Sequence, residues 1–253
     1  MGDQPLVRWD WIASHLVDPI GTRLLEHLQL SITPILLGLL LALPLGVACV
    51  RWRALYPPVF TTVNILYAIP SIALFFLLLP YTSFSAWTAI IPLTVYTLAV
   101  LVPNVVDGLN QVPDHVRQAA EAMGFGPLRR LVQVELPVAL PVVIAGLRVA
   151  AVATISMVSV ASLVGLGGLG QLILTEGFRR QFPTPIVVGI VLSVALAFLV
   201  DGLLVLLQRW WTPWTPRPAR AGGRNRRSAA ASTAAASSAA DRPAAPEGRR
   251  RRA

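Results

Sequence analysis

Five apolar stretches, at about residues 28–50, 58–80, 87–106, 138–164 and 185–208, are each long enough to cross a bilayer, for which about 20 helical residues suffice. A chain built this way has few folds open to it. Inside hydrocarbon every backbone N–H and C=O must be satisfied within the protein, so spanning segments are helices or closed barrels, and unbroken apolar runs of this length read as helices. The fold class is therefore all-α integral membrane, with about five transmembrane helices. Pro34, Pro44, Pro70, Pro92, Pro103 and Pro141 lie in or near these runs, which membrane helices tolerate because neighbours can satisfy the freed carbonyls. Pro141 follows Pro137 so closely that the fourth span is expected to enter as a broken helix.

Charge is distributed unevenly. Residues 1–208 carry 10 Arg against 10 Asp plus Glu, whereas residues 209–253 carry 11 Arg against 2 acids, which is the whole net charge of +9. The basicity thus describes a tail and gives no support for nucleic-acid binding by the body. That tail, residues 210–253, is rich in Arg, Ala and Pro and, beyond Pro213, has almost no large apolar residue, so it is expected to be disordered and cytoplasmic. Arg249–Arg252 could meet anionic lipid or remain solvated. Residues 1–23 lack the basic flank and short apolar core of a cleavable signal. They are expected to form an extracytoplasmic amphipathic segment, with Trp9, Trp11, Ile12 and Leu16 on one face.

Arginine placement sets the orientation. Arg51 and Arg53 follow the first span, Arg117, Arg129 and Arg130 lie between the third and fourth, and the basic tail follows the fifth. Five spans put all three regions on one side, with the N-terminus outside and the C-terminus cytoplasmic; Arg179 and Arg180 are exceptions. All seven tryptophans fall at the interfaces of that topology: Trp9, Trp11 and Trp87 outside, Trp52, Trp210, Trp211 and Trp214 inside, as indole prefers the headgroup layer.

On the cytoplasmic side, loop 107–137 holds a polar, helix-forming island. Gln118-Ala119-Ala120-Glu121 is followed three residues later by Gly124 and then, after nine intervening residues, by Val134-Glu135-Leu136-Pro137. The alanines permit close approach of another chain, Gly124 ends a short helix at little steric cost, and Pro137 restarts the chain as a first-turn residue. The spacing resembles the coupling motif of ABC importer permeases, with Gln118 in place of Glu and Val134 in place of Ile. The resemblance covers about residues 24–209 and implies a type I permease fold. It also implies that Gln118, Ala119, Ala120, Glu121, Gly124, Leu136 and Pro137 contact a separate ABC ATPase subunit, that a solute-binding protein delivers substrate from outside, and that two permease chains, as a homo- or heterodimer, line the path.

Gly165-Leu166-Gly167-Gly168-Leu169-Gly170 formally matches GxGxxG. It follows a membrane-length run rather than a short strand, has no acidic residue about twenty positions on, and lacks the Lys-Ser/Thr ending of a P-loop. The dinucleotide and phosphate readings fall away. Gly165, Gly167, Gly168 and Gly170 are expected either near an outer gate or in a packing turn. This segment, with Ala68–Pro80 and Glu135–Arg148, narrows the resemblance to the permeases of the glycine betaine, carnitine and choline importers, with methionine permeases as the alternative. Pro103-Asn104 stands where that branch would show Arg-Asn.

Arg148 and Asp201 are ionisable groups inside spans, costly unless paired or wet; they are expected to pair between the fourth and fifth spans, with a role in gating or the solute path as the alternative. Asp107 and Glu26, at span ends, read as hydrated. His15, His27 and His115 are scattered, no His-Glu-x-x-His or Gly-x-Ser-x-Gly motif occurs, and Cys49 is the sole cysteine. No catalytic residue, metal site or cofactor is expected. The function the resemblance implies is a permease subunit of a bacterial ABC importer in the cell membrane, carrying a small osmoprotectant, with ATP hydrolysis on another polypeptide. A secondary transporter would be the competing class, marked by internal repeats and intramembrane ion sites that are not evident here.

Overall fold

The computed structural model describes residues 6–213, and within them every regular element is helical. A short helix, α1 (Trp9–Ser14), is followed by a π-helical turn over Leu16–Gly21 and then α2 (Thr22–Arg51). The membrane-length helix runs over Leu16–Arg51, beginning well before the 28–50 read from the sequence. Glu26 and His27, which cut the apolar run short, are both hydrogen-bonded inside the protein, so they need not leave the bundle. The expected N-terminal amphipathic face divides. Trp11 and Ile12 pack on Ile20, Leu169 and Leu172, while Trp9 and Leu16 are exposed. His15, at φ −118° and ψ 15°, interrupts the helix between them.

The second span departs most from expectation. Residues 58–80 do not form one helix: α3 (Tyr56–Ala68) and α4 (Ser71–Thr82) meet at a 90° bend. The residue before a proline is pushed out of the helical region by the ring's Cδ, and Ile69, preceding Pro70, is extended at φ −70° and ψ 129°. Counted as one span, the bent pair brings the total to five.

Next come α5 (Trp87–Asn110), the loop helices α6 (Asp114–Ala122) and α7 (Pro127–Arg130), and α8 (Leu136–Ala161). A π turn at Leu131–Glu135 joins α7 to α8. The expected break at Pro141 is absent: Pro137 sits in the first turn of α8, and Pro141 lies inside the continuous helix. Pro141 is the sixth residue of α8, so the carbonyl its ring leaves without a backbone donor is that of Pro137, in the first turn. From the end of the glycine segment, α9 (Leu169–Gln171) and a π turn over Leu172–Phe178 lead to α10 (Pro183–Trp211).

α2, α5 and α8 form the centre of the bundle. Toward one end Ala42, Leu101, Val105, Ala139, Val143 and Leu147 interlock; toward the other, Leu30, Phe75, Leu93, Tyr96 and Val158 do so. Between membrane helices there is little water-driven force, so close van der Waals packing at small residues carries association. A Cβ on Gly46 would stand 2.5 Å from Val105 Cγ1, and one on Gly38 2.7 Å from Thr97 Cβ. With Ala42 fully buried between them, these small residues bring the α2 backbone onto α5. α10 packs against α8 and the π turn but leaves Val191, Val194, Phe198, Leu199 and Leu203 uncovered, an apolar strip suited to lipid or another chain.

Candidate functional site

The loop between α5 and α8 is held by local chemistry that each residue can be seen to supply. α6 ends in a Schellman motif: Phe125 N–H donates to the Ala120 carbonyl at 3.0 Å, and Gly124 N–H donates to the Glu121 carbonyl at 2.9 Å. That pattern requires a left-handed residue at the position past the cap, and Gly124 takes it at φ +81°. Nothing lies within 4 Å of where its Cβ would be, so glycine is needed for conformation and not for space.

Arg130 then ties the loop together, pairing with Glu121 on α6 and donating from Nε to Glu135 Oε1 at 2.7 Å. Arg117 donates to the Leu109 carbonyl at 2.6 Å and fixes the start of α6 to the end of α5. Ala120 is buried against this framework, whereas Gln118, Ala119, Glu121 and Gly124 face outward with Met123, Leu128 and Val132. Leu136 packs into the core, and Pro137 opens α8. The arrangement is a mixed apolar and polar knob cross-braced by Arg117 and Arg130. Arg51, at the end of α2, shares a cleft with Arg117 and Arg130, so the arginines separated by two spans in sequence meet at one end of the bundle.

The glycine segment lies at the other end, where Gly165 approaches Phe84 of the loop between α4 and α5. Gly165, Gly167 and Gly168 all have positive φ, +82°, +92° and +81°, and this lets their backbone turn onto α2. There Glu26 Oε2 accepts from Gly168 N–H at 2.9 Å while Glu26 also pairs with Arg23. His27 is fully buried. Its Nδ1 lies 3.2 Å from Leu169 N, and its Nε2 lies 3.1 Å from the Ile155 carbonyl. An N–H can only donate and a carbonyl only accept, so His27 is neutral with its proton on Nε2. Gly170 lets α9 lie against Ser159 and Ser162. Glu26 is thus a ligand of a backbone turn and not a merely hydrated group, and His27 is not an isolated histidine. The sequence signal for both was an adjacent ionisable pair at the start of an apolar run.

Arg148 on α8 and Asp201 on α10 are brought together in a two-pronged pair, Nε to Oδ1 at 2.7 Å and Nη2 to Oδ2 at 2.9 Å. Arg148 lies twelve residues into α8 and Asp201 ten residues before the end of α10, so at about 1.5 Å per residue both stand deep in the span. Their side chains remain 35% and 30% exposed. Asn104, beside the unexpected Pro103, donates to the Val100 carbonyl and packs on Gly146 of α8. Among the described residues no group of three or more His, Cys, Asp and Glu is placed to hold a metal ion.

Comparison with known proteins draws these features together. The family model described as "Binding-protein-dependent transport system inner membrane component" matches residues 34–213. The choline transport system permease protein OpuBB of Bacillus subtilis (strain 168) is 31% identical over 188 residues, covering 74% of this chain and 86% of that protein. The osmoprotectant import permease protein OsmW of Salmonella typhimurium (strain LT2) is 35% identical over 193 residues, covering 74% and 89%. Among solved structures, inward-facing MetNI methionine ABC transporter superposes with a TM-score of 0.69 at 27% identity, covering 77% of this chain and 99% of that one. A helical bundle that crosses the membrane several times and matches this family over most of its length belongs to it: the chain is a type I ABC importer permease of the binding-protein-dependent transport system inner membrane component family.

Proposed function

We propose that this permease imports a small quaternary-ammonium osmoprotectant of the choline or glycine betaine kind. The observation that carries the reading is the set of relatives whose names specify choline, carnitine or glycine betaine transport, aligned over three quarters of this chain. The knob formed by Gln118, Ala119, Glu121, Gly124, Met123 and Leu128 is the seat for a separate ATPase subunit, and Arg130 makes it stiff enough to transmit a push to α8 through Glu135. The knob faces the cytoplasm, the N-terminus and the glycine segment face outward, and a solute-binding protein docks at that outer end. A second permease chain, identical or related, completes the path. Glu26 and His27 hold the outer turn, formed by Gly165, Gly167, Gly168 and Gly170, against α2.

Uptake into proteoliposomes holding the permease, its ATPase and its binding protein tests this. ATP-dependent accumulation of choline or glycine betaine is expected. The methionine transporter likeness favours one other reading, import of an amino acid such as methionine; methionine uptake without any quaternary-amine uptake would overturn the osmoprotectant assignment.

A further inference from the structure

The break between α3 and α4 exposes a feature that membrane anchoring does not need. Tyr56, Phe60, Asn64 and Tyr67 recur at four, eight and eleven residues along α3 and so fall on one side of the helix. Tyr56 and Phe60 have ring centroids 5.6 Å apart, and Tyr67 meets Tyr96 of α5 edge-on at 5.4 Å. Tyr96 is buried, its hydroxyl donating at 2.5 Å to the carbonyl of Ile69 at the bend. Phe60 and Tyr67, by contrast, are 39% and 42% exposed.

Depth makes that exposure informative. α3 has 13 residues and Tyr67 is its penultimate one, which puts this ring about 17 Å along the helix from Tyr56. Tyr96 lies nine residues into α5 from the opposite side, about 14 Å, so the two rings meet near mid-bilayer. Neither the Tyr67 hydroxyl nor Asn64 Oδ1 has a hydrogen-bond partner among the described residues. Facing hydrocarbon, both would be left unsatisfied at a cost lipid cannot repay. Water, with a passing solute, satisfies them. Discontinuous helices at mid-membrane are where transporters commonly place substrate, and α3 and α4 carry no charged residue. The exposed faces of neutral aromatic rings attract a cation by their quadrupoles without binding it as tightly as a carboxylate would, which suits a conduit that must also release its solute.

We infer that the α3 stripe, with Tyr67 braced by Tyr96 at the bend, is an intramembrane subsite for the quaternary-ammonium head of the transported solute. This rests on the osmoprotectant reading above. Phe60 and Tyr56 continue the aromatic wall toward the α2–α3 end.

Choline uptake by variants of the permease in the reconstituted three-component transporter tests the subsite. Tyr67→Leu and Phe60→Leu are each expected to lower choline uptake about tenfold while binding-protein-stimulated ATP hydrolysis continues; Tyr67→Trp, which keeps a ring, is expected to retain several times more uptake than Tyr67→Leu. Leu36→Val, exposed on α2 away from the stripe, is the unaffected control. Wild-type choline uptake with equal uptake in Tyr67→Leu and Phe60→Leu overturns the subsite and leaves the osmoprotectant reading standing. Loss of permease dimerisation in both leucine variants, measured by size-exclusion chromatography, overturns it in favour of an interface between copies. Absence of any quaternary-amine uptake by the wild type overturns the parent reading and the subsite with it.

Discussion

Gly124 occupies φ +81° with open space around its Cβ position, so within this chain a substitution there acts through backbone strain. A non-glycine residue in the left-handed region costs about 1–2 kcal/mol, and asparagine tolerates it better than most. Gly124→Val is therefore expected to cost more than 90% of coupled uptake with membrane insertion intact, and Gly124→Asn to lose much less; equal loss in the two variants would show that size, not conformation, matters there. Glu26 is the second residue whose identity counts. Removing its carboxylate in Glu26→Ala leaves Gly168 N–H and Arg23 unpaired, a penalty of about 1–3 kcal/mol for a group left unsatisfied, whereas Glu26→Gln retains an acceptor for the backbone. Thermal unfolding in detergent is expected to rank them wild type, Glu26→Gln, Glu26→Ala. An unchanged Tm in Glu26→Ala would show that the turn stands without it.

Among the elements, α10 carries one ion pair to the rest of the bundle, Arg148–Asp201, beside a strip that nothing in the described residues covers. Neutralising only one of Arg148 and Asp201 leaves the other charge in the span, at about 2.5–3.5 kcal/mol on insertion scales. The single variants Arg148→Met and Asp201→Leu are accordingly expected to lower yield and Tm more than the double variant, in which no charge remains. A double variant as damaged as the sum of the singles would mean that each residue works separately, Arg148 or Asp201 facing the solute path alone. The element scale is also where sequence and structure part. The five apolar runs were legible, since length and composition decide whether a segment can span. The bend at Ile69–Pro70 was not, because a proline inside a span is compatible with a straight, a kinked or a broken helix; here the carbonyl freed at Ile69 finds the Tyr96 hydroxyl, and that partner is 27 residues away in sequence.

For the whole molecule, the arginine clusters gather at one end and the glycine segment at the other, which gives the orientation a direct test. Cys49 is the only cysteine and is buried, so a Cys49→Ala background admits single reporters. A cysteine at Phe84 is expected to react with an impermeant maleimide from outside intact cells, and one at Gln118 only after the cytoplasmic face is opened; the reverse pattern would invert the topology. Deletion of residues 217–253, which lie outside the described residues, is expected to leave uptake nearly unchanged, since the family match ends at residue 213. Sequence alone determined the membrane class, the approximate spans and the polar knob with Gly124, because those rest on composition and local spacing, and its resemblance to known permeases gave the family. Only the tertiary structure decided that Glu26 and His27 clasp the glycine turn, that Arg130 bridges Glu121 and Glu135, and that Tyr67 and Tyr96 meet at a broken helix. Each of those joins groups far apart in the chain or on different elements, and hydrogen bonds and ring contacts act across a few ångströms of space regardless of how many residues lie between them.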